Sequence, residues 1–280
     1  MSAESKSSLA FSIDFEGFVE GMEQSFYIPA HIPRYRIEKE LQSNLEFCID
    51  FLENYEITST FFVLGWIGKE FPKMIELISD KGHEIASHSL YHKRFTDLSI
   101  NTIKNDLIVS KSLLEDASGK EVLGFRAPDF CLPQNSGLID YLLDSGYKYD
   151  SSLIYTNIHD VYGKNKIESD IFRYNNGLIE FPIPNISFFN TISLPLGGGG
   201  YLRLYPKWIT KYFLIKKKSP LVYLHPYELG GNYPNNLNMN IYRRFRHTYN
   251  IDNVPEKTAT IIKGFNAISI KEFLVKRGFL

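Results

Sequence analysis

The chain has 280 residues, of which 44% are hydrophobic and 22% are charged, a composition typical of globular proteins with enough apolar material for a large core. Its 31 basic and 32 acidic residues give a formal net charge of −1, which excludes the overall positive field that nucleic-acid-binding proteins use. Two cysteines are too few for a disulfide framework, and no run of eighteen apolar residues is present to span a membrane.

Short apolar runs rich in β-branched and aromatic residues alternate with stretches whose apolar residues are three or four positions apart. The predicted strands are 9–14, 59–64, 84–87, 122–125, 147–150, 178–182 and 221–224. The predicted helices are 34–55, 70–81, 99–118, 135–145 and 206–217. This alternation indicates a largely parallel sheet, so we expect an α/β fold in the form of a distorted, incomplete barrel, built as a single domain over residues 1–280.

Ionisable side chains follow the predicted strands at their carboxyl ends. They are Asp14 and Glu16 after the first strand, His88 and His92 after the third, Arg126 after the fourth, Asp150 at the end of the fifth, and His225 after the seventh. The carboxyl ends of parallel strands form the edge at which α/β folds carry their functional groups. The convergence of these side chains on one edge predicts an active site.

His88 and His92 are four positions apart, a spacing that places two imidazoles on one face of a helical turn. Two neutral imidazoles suit zinc or another late first-row divalent cation. A catalytic metal site would add a third ligand and leave one position open for water. The pair therefore indicates half of a metal site, whose third ligand must come from elsewhere in the chain.

Five short motifs contain these residues: SIDFE at 12–16, SHSLYH at 87–92, GFRAP at 124–128, YDSS at 149–152 and LHPYE at 224–228. In order and spacing they resemble the motifs of polysaccharide deacetylases, the metal-dependent enzymes of carbohydrate esterase family 4. The resemblance covers nearly the whole chain and is greatest to the bacterial subgroup associated with exopolysaccharide loci. It implies a deformed, seven-stranded barrel of parallel type and a hydrolase that removes an N-acetyl, or N-formyl, group from an amino sugar.

The resemblance implies that His88 and His92 bind one divalent metal, with Glu16 as the third ligand. Zinc is the expected ion, and cobalt, nickel or manganese are the alternatives. The first motif departs from the family, which has two aspartates there, because glutamate is longer by one methylene group. A solvated loop glutamate is the alternative interpretation of Glu16.

The resemblance also assigns the proton transfers. Asp14 would be the general base, and Arg126 would hold its carboxylate ionised and oriented. His225 would be the general acid that protonates the leaving amine. Asp150 would orient either Arg126 or His225, and the sequence leaves both partners open.

The run of four glycines at 197–200 lacks the context of a phosphate-binding loop, so it indicates either a flexible loop or a close approach of backbone to substrate. Since the resemblance extends through this run, we expect Gly199, Gly200 and Tyr201 to bind substrate, together with Pro128. Two basic clusters lie at 216–218 and 243–246 and are typical of solvated helix ends. The alternative is a functional one, in which they contact anionic lipid headgroups or a pyrophosphate-linked carrier.

The expected partner is an N-acetylated amino sugar, an oligosaccharide or a carrier-linked glycan precursor in surface-polysaccharide biosynthesis. The sequence shows no signal peptide, so we expect a cytoplasmic protein, with peripheral contact at the inner face of the membrane as an option. Two other functions remain open at this point. One is a catalytically degenerate glycan-binding member of the fold, and the other is a metal-dependent amidohydrolase of a small nitrogenous metabolite.

Overall fold

Short strands alternate with helices throughout the computed structural model, which describes residues 6–18, 34–133, 137–156, 170–188, 192–231 and 241–280. The strands are β1 (Ser7–Phe15), β2 (Thr60–Val63), β3 (Glu84–Ser87), β4 (Gly124–Phe125), β5 (Tyr149–Asp150), β6 (Phe172–Arg173), β7 (Ile179–Glu180), β8 (Asn185–Phe188), β9 (Ile192–Pro195), β10 (Leu221–Leu224) and β11 (Phe265–Ile268). The helices are α1 (Arg34–Asn54), α2 (Gly65–Glu70), α3 (Pro72–Asp80), α4 (Ile100–Ser118), α5 (Leu138–Asp144), α6 (Gly199–Leu204), α7 (Lys207–Ile215), α8 (Pro226–Gly230), α9 (Ile241–Thr248), α10 (Val254–Ile262) and α11 (Ile270–Lys276).

One curved sheet contains nine of the described strands, in the order β10-β1-β2-β3-β4-β5-β7-β6, with β11 pairing beside β1. The pairings are parallel except that between β6 and β7, and β8 and β9 form a separate antiparallel pair. Within the described residues no strand pairing joins the edge strands β10 and β6, so the sheet curls without closing. The prediction of a mostly parallel, incomplete barrel is confirmed.

Strand β1 is the longest strand and contacts three others. Its first half pairs with β11, its second half with β10, and β2 lies along its other side. Because successive side chains of a strand point to opposite faces, Phe11, Ile13 and Phe15 pack into the core under the surrounding helices. Ala10 packs into a second cluster with Phe62 of β2. The alternation therefore directs the remaining polar residues of β1 to the inner face of the sheet.

The helices cover the outer face of the sheet in neighbouring pairs. Helix α1 packs on α8, α2 and α3 pack on α4, and α10 packs on α7. Helix α4 begins at a Ser99 cap, whose hydroxyl accepts the backbone N–H of Thr102 at 3.2 Å, and it ends at Gly119 in the left-handed conformation. No helix among the described residues has the length and apolarity needed to cross a membrane.

All the predicted strands are present, with bounds that differ by a few residues. The predicted helix 70–81 corresponds to α3, which begins at Pro72, immediately after the short helix α2. Helix 135–145 corresponds to α5, and residues 135–136 of that prediction lie outside the described residues. The strand β11, the edge strand β6, the β8–β9 pair and the helices α2, α6 and α8 to α11 were not predicted.

Candidate metal and catalytic site

The strand register places the carboxyl ends of four strands at one level. Phe15 pairs with Val63, Val63 with Ser87, and Ser87 with Phe125. The residue after each of these paired residues points to the opposite face of the sheet, because side chains alternate along a strand. Glu16, His88 and Arg126 are therefore delivered together to the inner face, as their positions after the strands predict.

Glu16, His88 and His92 form a buried cluster in which one ligand atom from each side chain lies within 4.8 Å of the others. The Oε2 atom of Glu16 is 2.8 Å from Nε2 of His92 and 3.8 Å from Nε2 of His88. These atoms are close enough for a single cation to contact all three. The structure brings together the three residues predicted to bind metal.

The chemistry of this cluster fits a divalent metal. Oε2 of Glu16 is buried and has no hydrogen bond of acceptable geometry among the described residues, although His92 is near it. A buried carboxylate oxygen without a donor is costly unless a cation satisfies it. Two imidazoles and one carboxylate are also a ligand set of catalytic zinc sites, which keep a fourth position for water.

The loop that carries the two histidines is irregular, so the prediction of a helical turn is wrong. Residues 88–94 have no helical assignment, and both Ser89 and His92 have positive φ, at 69° and 53°. The left-handed conformation is unfavourable for these residues, so the surroundings must hold it in place. Asp106 of α4 does so in part, because its carboxylate accepts the backbone N–H of Leu90 at 3.0 Å and 3.1 Å.

His88 is oriented for metal binding by its other ring nitrogen. Nδ1 of His88 lies 2.8 Å from the carbonyl oxygen of Arg126, a contact in which Nδ1 donates its proton. This tautomer leaves the Nε2 lone pair free on the side of Glu16. Burial also lowers the pKa of His88 below its ordinary value of 6.5, which favours the neutral imidazole that metals bind.

Arg126 is fully buried, and its guanidinium group is held on all sides. Nη1 donates to Oδ1 of Asp14 at 2.6 Å and to the hydroxyl of Ser12 at 3.0 Å. Nε and Nη2 donate to the carbonyl and hydroxyl oxygens of Ser151. The planar group also lies 4.0 Å from the ring centroid of Phe62. Arg126 is thus a rigid cationic support for Asp14.

Asp14 is buried on the inner face of β1 and remains ionised. Burial alone would raise the pKa of Asp14, but the Arg126 guanidinium, with His88 and His225 nearby, holds that pKa below the ordinary value of an aspartate. The predicted pairing of Asp14 with Arg126 is therefore present. A carboxylate in this state can accept a proton from a water molecule in the site.

His225 lies at the same edge, at the start of α8, and is oriented by Glu228. Nδ1 of His225 is 2.9 Å from Oε2 of Glu228, and Nε2 points to the site, 3.8 Å from Oε1 of Glu16. Burial would lower the pKa of His225, but the hydrogen bond and charge of Glu228, with the nearby Glu16 and Asp14, raise it above 6.5. These contacts therefore favour the protonated form of the imidazole.

Glu228 is itself fixed by Arg203, which forms a buried ion pair with its Oε1 atom. Burial would raise the pKa of Glu228, but Arg203 and His225 lower it to about 2. Glu228 belongs to the LHPYE motif but was not among the predicted site residues. The spacing His225-Pro-x-Glu228 at the start of a helix could have indicated it, since a glutamate three residues after a helix cap folds back onto that cap.

Asp150 does not orient Arg126 or His225, so this prediction is corrected. Asp150 pairs in register with Phe125 and Glu180, and therefore points to the opposite face of the sheet from Arg126. Its carboxylate accepts the Ser152 hydroxyl at 2.5 Å, and Ser152 also accepts the backbone N–H of Ala127 at 2.8 Å. The orienting contacts come instead from the neighbouring Ser151 and from Glu228.

Asp150 and Glu180 form a buried pair of carboxyl groups. Burial raises the pKa of Asp150 to about 6, and burial with the charge of Asp150 raises the pKa of Glu180 well above its ordinary value. Glu180 is held in place by the backbone N–H of Leu153 at 2.9 Å and the hydroxyl of Tyr174 at 3.2 Å. Two adjacent carboxyl groups away from water are stable only while one of them keeps its proton.

This pair predicts a loss of stability as the pH rises. Both carboxyl groups have folded-state pKa values above the unfolded ones, so their contribution to stability is complete below the unfolded pKa values and is lost as the pH passes the folded values. We expect the free energy of unfolding to fall more steeply in the native chain than in Glu180→Gln as the pH rises through about 6, because the amide is permanently neutral. Urea unfolding at a series of pH values measures this, with the exposed Glu256→Gln as the matched control. If the free energy of unfolding depended on pH in the same way for the native chain and Glu180→Gln, the two carboxyl groups would not share a proton.

The four glycines do not form a flexible loop, because Gly199–Leu204 is helix α6. Gly197 and Gly198 approach β10 instead: the carbonyl of Gly197 accepts the backbone N–H of Tyr223 at 2.9 Å. A Cβ atom on Gly198 would lie 2.0 Å from the Tyr223 ring. The close approach that the glycines permit is thus to a strand of the protein.

The predicted substrate contacts of Gly199, Gly200, Tyr201 and Pro128 stay predictions. Gly199 lies beside Tyr223, whose ring is 5.5 Å from the Arg126 guanidinium, so the start of α6 is separated from Arg126 by one aromatic ring. Pro128 is buried, two residues after Arg126. Tyr201 packs against Tyr205, at a centroid distance of 5.9 Å.

We predict that Gly198→Ala destabilises the fold. Its φ of −161° is extended and suits any residue, so the cost is the overlap of the new methyl group with Tyr223. Overpacking of this kind costs about 1–3 kcal/mol, and urea unfolding should show it as a lower midpoint. Gly200→Ala is the matched control: the position is exposed and helical, so alanine should be neutral or mildly stabilising there. Equal stability of the two variants would show that Tyr223 moves aside freely.

Comparison with known families agrees with this geometry. Residues 38–149 match the polysaccharide deacetylase family, and residues 151–275 match a domain of unknown function, DUF3473. The first match includes His88, His92 and Arg126, and the second includes His225 and Glu228. The two matches meet directly after β5, inside one continuous sheet. The single-domain organisation of residues 1–280 stays a prediction.

Among characterised proteins, the chain is 24% identical over 180 residues to a peptidoglycan deacetylase of Helicobacter pylori, an alignment that covers 64% of this chain and 59% of that protein. It is 33% identical over 73 residues to a peptidoglycan-N-acetylmuramic acid deacetylase of Bacillus subtilis, covering 26% of this chain and 28% of that protein. The chain thus spans less than two thirds of the length of these relatives. The exopolysaccharide subgroup stays a prediction.

Solved structures share the fold. One described as a polysaccharide deacetylase from Mycobacterium smegmatis superposes with a TM-score of 0.56 at 16% identity, over 99% of this chain and 92% of that one. Another, from Bacillus anthracis, is described as a pseudoenzyme of carbohydrate esterase family 4; its TM-score is 0.53 at 13% identity, over 96% of this chain and 66% of that one. At these identities the likeness concerns the fold alone. This fold agrees with the sequence match of residues 38–149 to the polysaccharide deacetylase family.

Proposed function

We propose that this chain is a metal-dependent hydrolase that removes the N-acetyl group from an amino sugar of a polysaccharide or a glycan precursor. The observation that carries the proposal is the cluster of Glu16, His88 and His92, whose ligand atoms lie within 4.8 Å of one another. An ionised carboxylate and a protonated imidazole, from Asp14 and His225, lie beside this cluster. Metal ligands, a base and an acid at one edge are the parts that amide hydrolysis needs.

Glu16, His88 and His92 would hold the metal, which when bound polarises a carbonyl oxygen and lowers the pKa of a water molecule. Zinc suits this donor set best, and cobalt, nickel and manganese are the alternatives. The extra methylene group of Glu16, compared with the aspartate usual in the family, still brings its Oε2 atom to within 2.8 Å of His92. This favours a competent metal site over a degenerate one.

The protein's own groups account for both proton transfers. Asp14, kept ionised by Arg126, accepts a proton from the water that attacks the amide carbonyl carbon. His225, kept protonated by Glu228, donates its proton to the amide nitrogen. The carbon–nitrogen bond then breaks, and acetate and a free amino sugar leave. The buried ion pair of Arg203 with Glu228 keeps the imidazole aimed at the leaving nitrogen.

Acetate release from N-acetylated glucosamine oligomers tests the proposal. We expect the zinc-loaded chain to release acetate, to stop when a chelator removes the metal, and to resume when zinc is added back. A panel of cyclic amides is the matched comparison, since their hydrolysis would indicate the amidohydrolase alternative. Metal-loaded protein that binds the oligomers without releasing acetate would favour a glycan-binding function instead.

The setting of the reaction is part of the proposal. The relatives named above act, by their names, on peptidoglycan, and a biosynthetic polymer or a carrier-linked precursor offers this site the same N-acetyl group. A cytoplasmic location stays a prediction, and fractionation of cells that produce the full-length protein checks it. Acetate release from exported polymer but not from nucleotide-linked or lipid-linked amino sugars would overturn the precursor as substrate.

A further inference from the structure

Helix α7 exposes an apolar face to solvent. Trp208, Tyr212 and Ile215 are 70%, 51% and 61% exposed, and their spacing of four and three positions places them in one row along the helix. The opposite side of the helix, with Thr210 and Leu214, is buried. A helix on the surface of a protein usually presents polar residues to water, so a row of large apolar side chains needs an explanation.

Further exposed apolar side chains lie near the start of α7. Leu204, at the end of α6, and Tyr249, just after α9, are exposed and line one cavity of about 390 Å³ together with Lys207. Phe245 of α9 is also exposed and packs against Tyr249 at a centroid distance of 4.8 Å. We name this surface the Trp208 patch; it consists of Leu204, Trp208, Tyr212, Ile215, Phe245 and Tyr249.

The charge along α7 and the turn after it is positive, although Glu256 lies 3.2 Å from Lys207 and Asp170 lies 3.8 Å from Lys218. Residues 206–219 contain five lysines and no acidic residue, in a chain whose formal net charge is −1. Lys211 has a structural use, because its ammonium donates to the carbonyls of Thr260 and Lys263 on the neighbouring helix. Lys216 and Lys218 are exposed directly beyond Ile215. The ammonium group of Lys216 lies 4.1 Å from the Tyr212 ring centroid, so the basic and aromatic side chains are contiguous.

Exposed tryptophan and tyrosine beside lysine is the combination that suits the boundary between lipid headgroups and acyl chains. The aromatic rings enter the boundary layer, and the ammonium groups meet anionic headgroups. We propose that the Trp208 patch docks the chain on the surface of an anionic lipid bilayer. A second copy of the chain fits less well, because a two-fold interface would bring the same lysines against each other.

The basic end of the Trp208 patch lies away from the metal site. Lys216 and Lys218 precede the start of β10, whereas His225 follows the end of that strand. The basic end of the Trp208 patch and the catalytic edge therefore lie at opposite ends of β10. A bilayer that met Lys216 and Lys218 would thus approach the end of β10 that lies away from His225.

Vesicle co-sedimentation tests the proposal. We expect the native chain to sediment with vesicles of mixed phosphatidylcholine and phosphatidylglycerol, and to be released by salt. Trp208→Ala with Ile215→Ser should lose most of this binding, and Lys216→Glu with Lys218→Glu should weaken it by at least about fivefold for each lysine. Ile108→Ser is the matched control, because Ile108 is 59% exposed on α4, away from the Trp208 patch.

The outcomes distinguish lipid binding from dimer formation, and they test lipid binding separately from the proposed deacetylase activity. Glu16→Ala should bind vesicles like the native chain, because vesicle binding does not depend on the metal. Acetate release from a water-soluble oligomer should be unchanged in Trp208→Ala. The proposal is overturned if the native chain ignores anionic vesicles at low salt, or binds pure phosphatidylcholine equally well. It is also overturned if light scattering shows a dimer that Trp208→Ala converts to monomer.

Discussion

Glu16→Ala, His88→Ala and His92→Ala are each expected to purify without the metal that the native chain binds, and to lose deacetylase activity with it. Each variant removes one of the three ligand atoms that lie within 4.8 Å of one another. Mutation of the outer partners of metal ligands already costs roughly 10- to 100-fold, so loss of a ligand itself should lower turnover by more than that. Elemental analysis of the purified proteins, alongside acetate release, measures both effects.

His247→Ala is the control for these variants, since it removes a histidine on α9 outside the cluster. It should keep about one equivalent of metal, as a single three-ligand catalytic site implies. Loss of metal from both histidine variants, with full metal in Glu16→Ala, would contradict the assignment of Glu16 as a ligand. Asp14 or water would then be the third ligand, and Glu16 would only accept a hydrogen bond from His92.

His225→Ala is expected to keep the metal and lose turnover. The Nε2 atom of His225 is 3.8 Å from Glu16, and the residue is outside the three-ligand cluster. General acid catalysis contributes roughly 100- to 10,000-fold, so the turnover number should fall within that range. Partial recovery of turnover with added imidazole would separate a lost proton donor from a disturbed structure.

Comparison of the metal contents of His225→Ala and His88→Ala tests this prediction directly. If His225→Ala and His88→Ala contain the same amount of metal, whether full or none, the roles assigned to the two imidazoles are wrong. Glu228→Gln offers a graded comparison, because the amide oxygen still accepts the hydrogen bonds of His225 while the negative charge is lost. Its turnover should lie between those of the native chain and His225→Ala.

Much of the architecture was predictable because the strands are buried on both faces and therefore appear in the sequence as short apolar runs. Strand β11 was not predicted, although three of its four residues are apolar, because its partner is the first half of β1 and that pairing depends on the whole barrel. The two-residue edge strand β6 is too short to leave a periodic signal. Tertiary contacts, rather than local propensity, decide these elements.

The sequence predicted which strands supply the site. It did not predict the face of the sheet to which each side chain points. Asp14 and Arg126 share the inner face, as their pairing requires. Asp150 comes at the end of a strand as well, yet its register with Phe125 directs it outward. The face that each side chain takes follows from the alternation of side chains along its strand together with the register between strands. The sequence contains the alternation but not the register.

The position of β1 between strands from distant parts of the chain affects the order in which the protein is completed on the ribosome. β2 is available soon after β1, but β10 and β11, on its other side, come from residues 221–268. At the usual rate of roughly 5–20 residues per second, the intervening segment takes on the order of ten seconds to synthesise. During that time the strand that ends in Asp14 and Glu16 has an open edge, a state that invites pairing with other chains. The three metal ligands are therefore synthesised early, whereas His225, which follows β10, joins the site only late in synthesis.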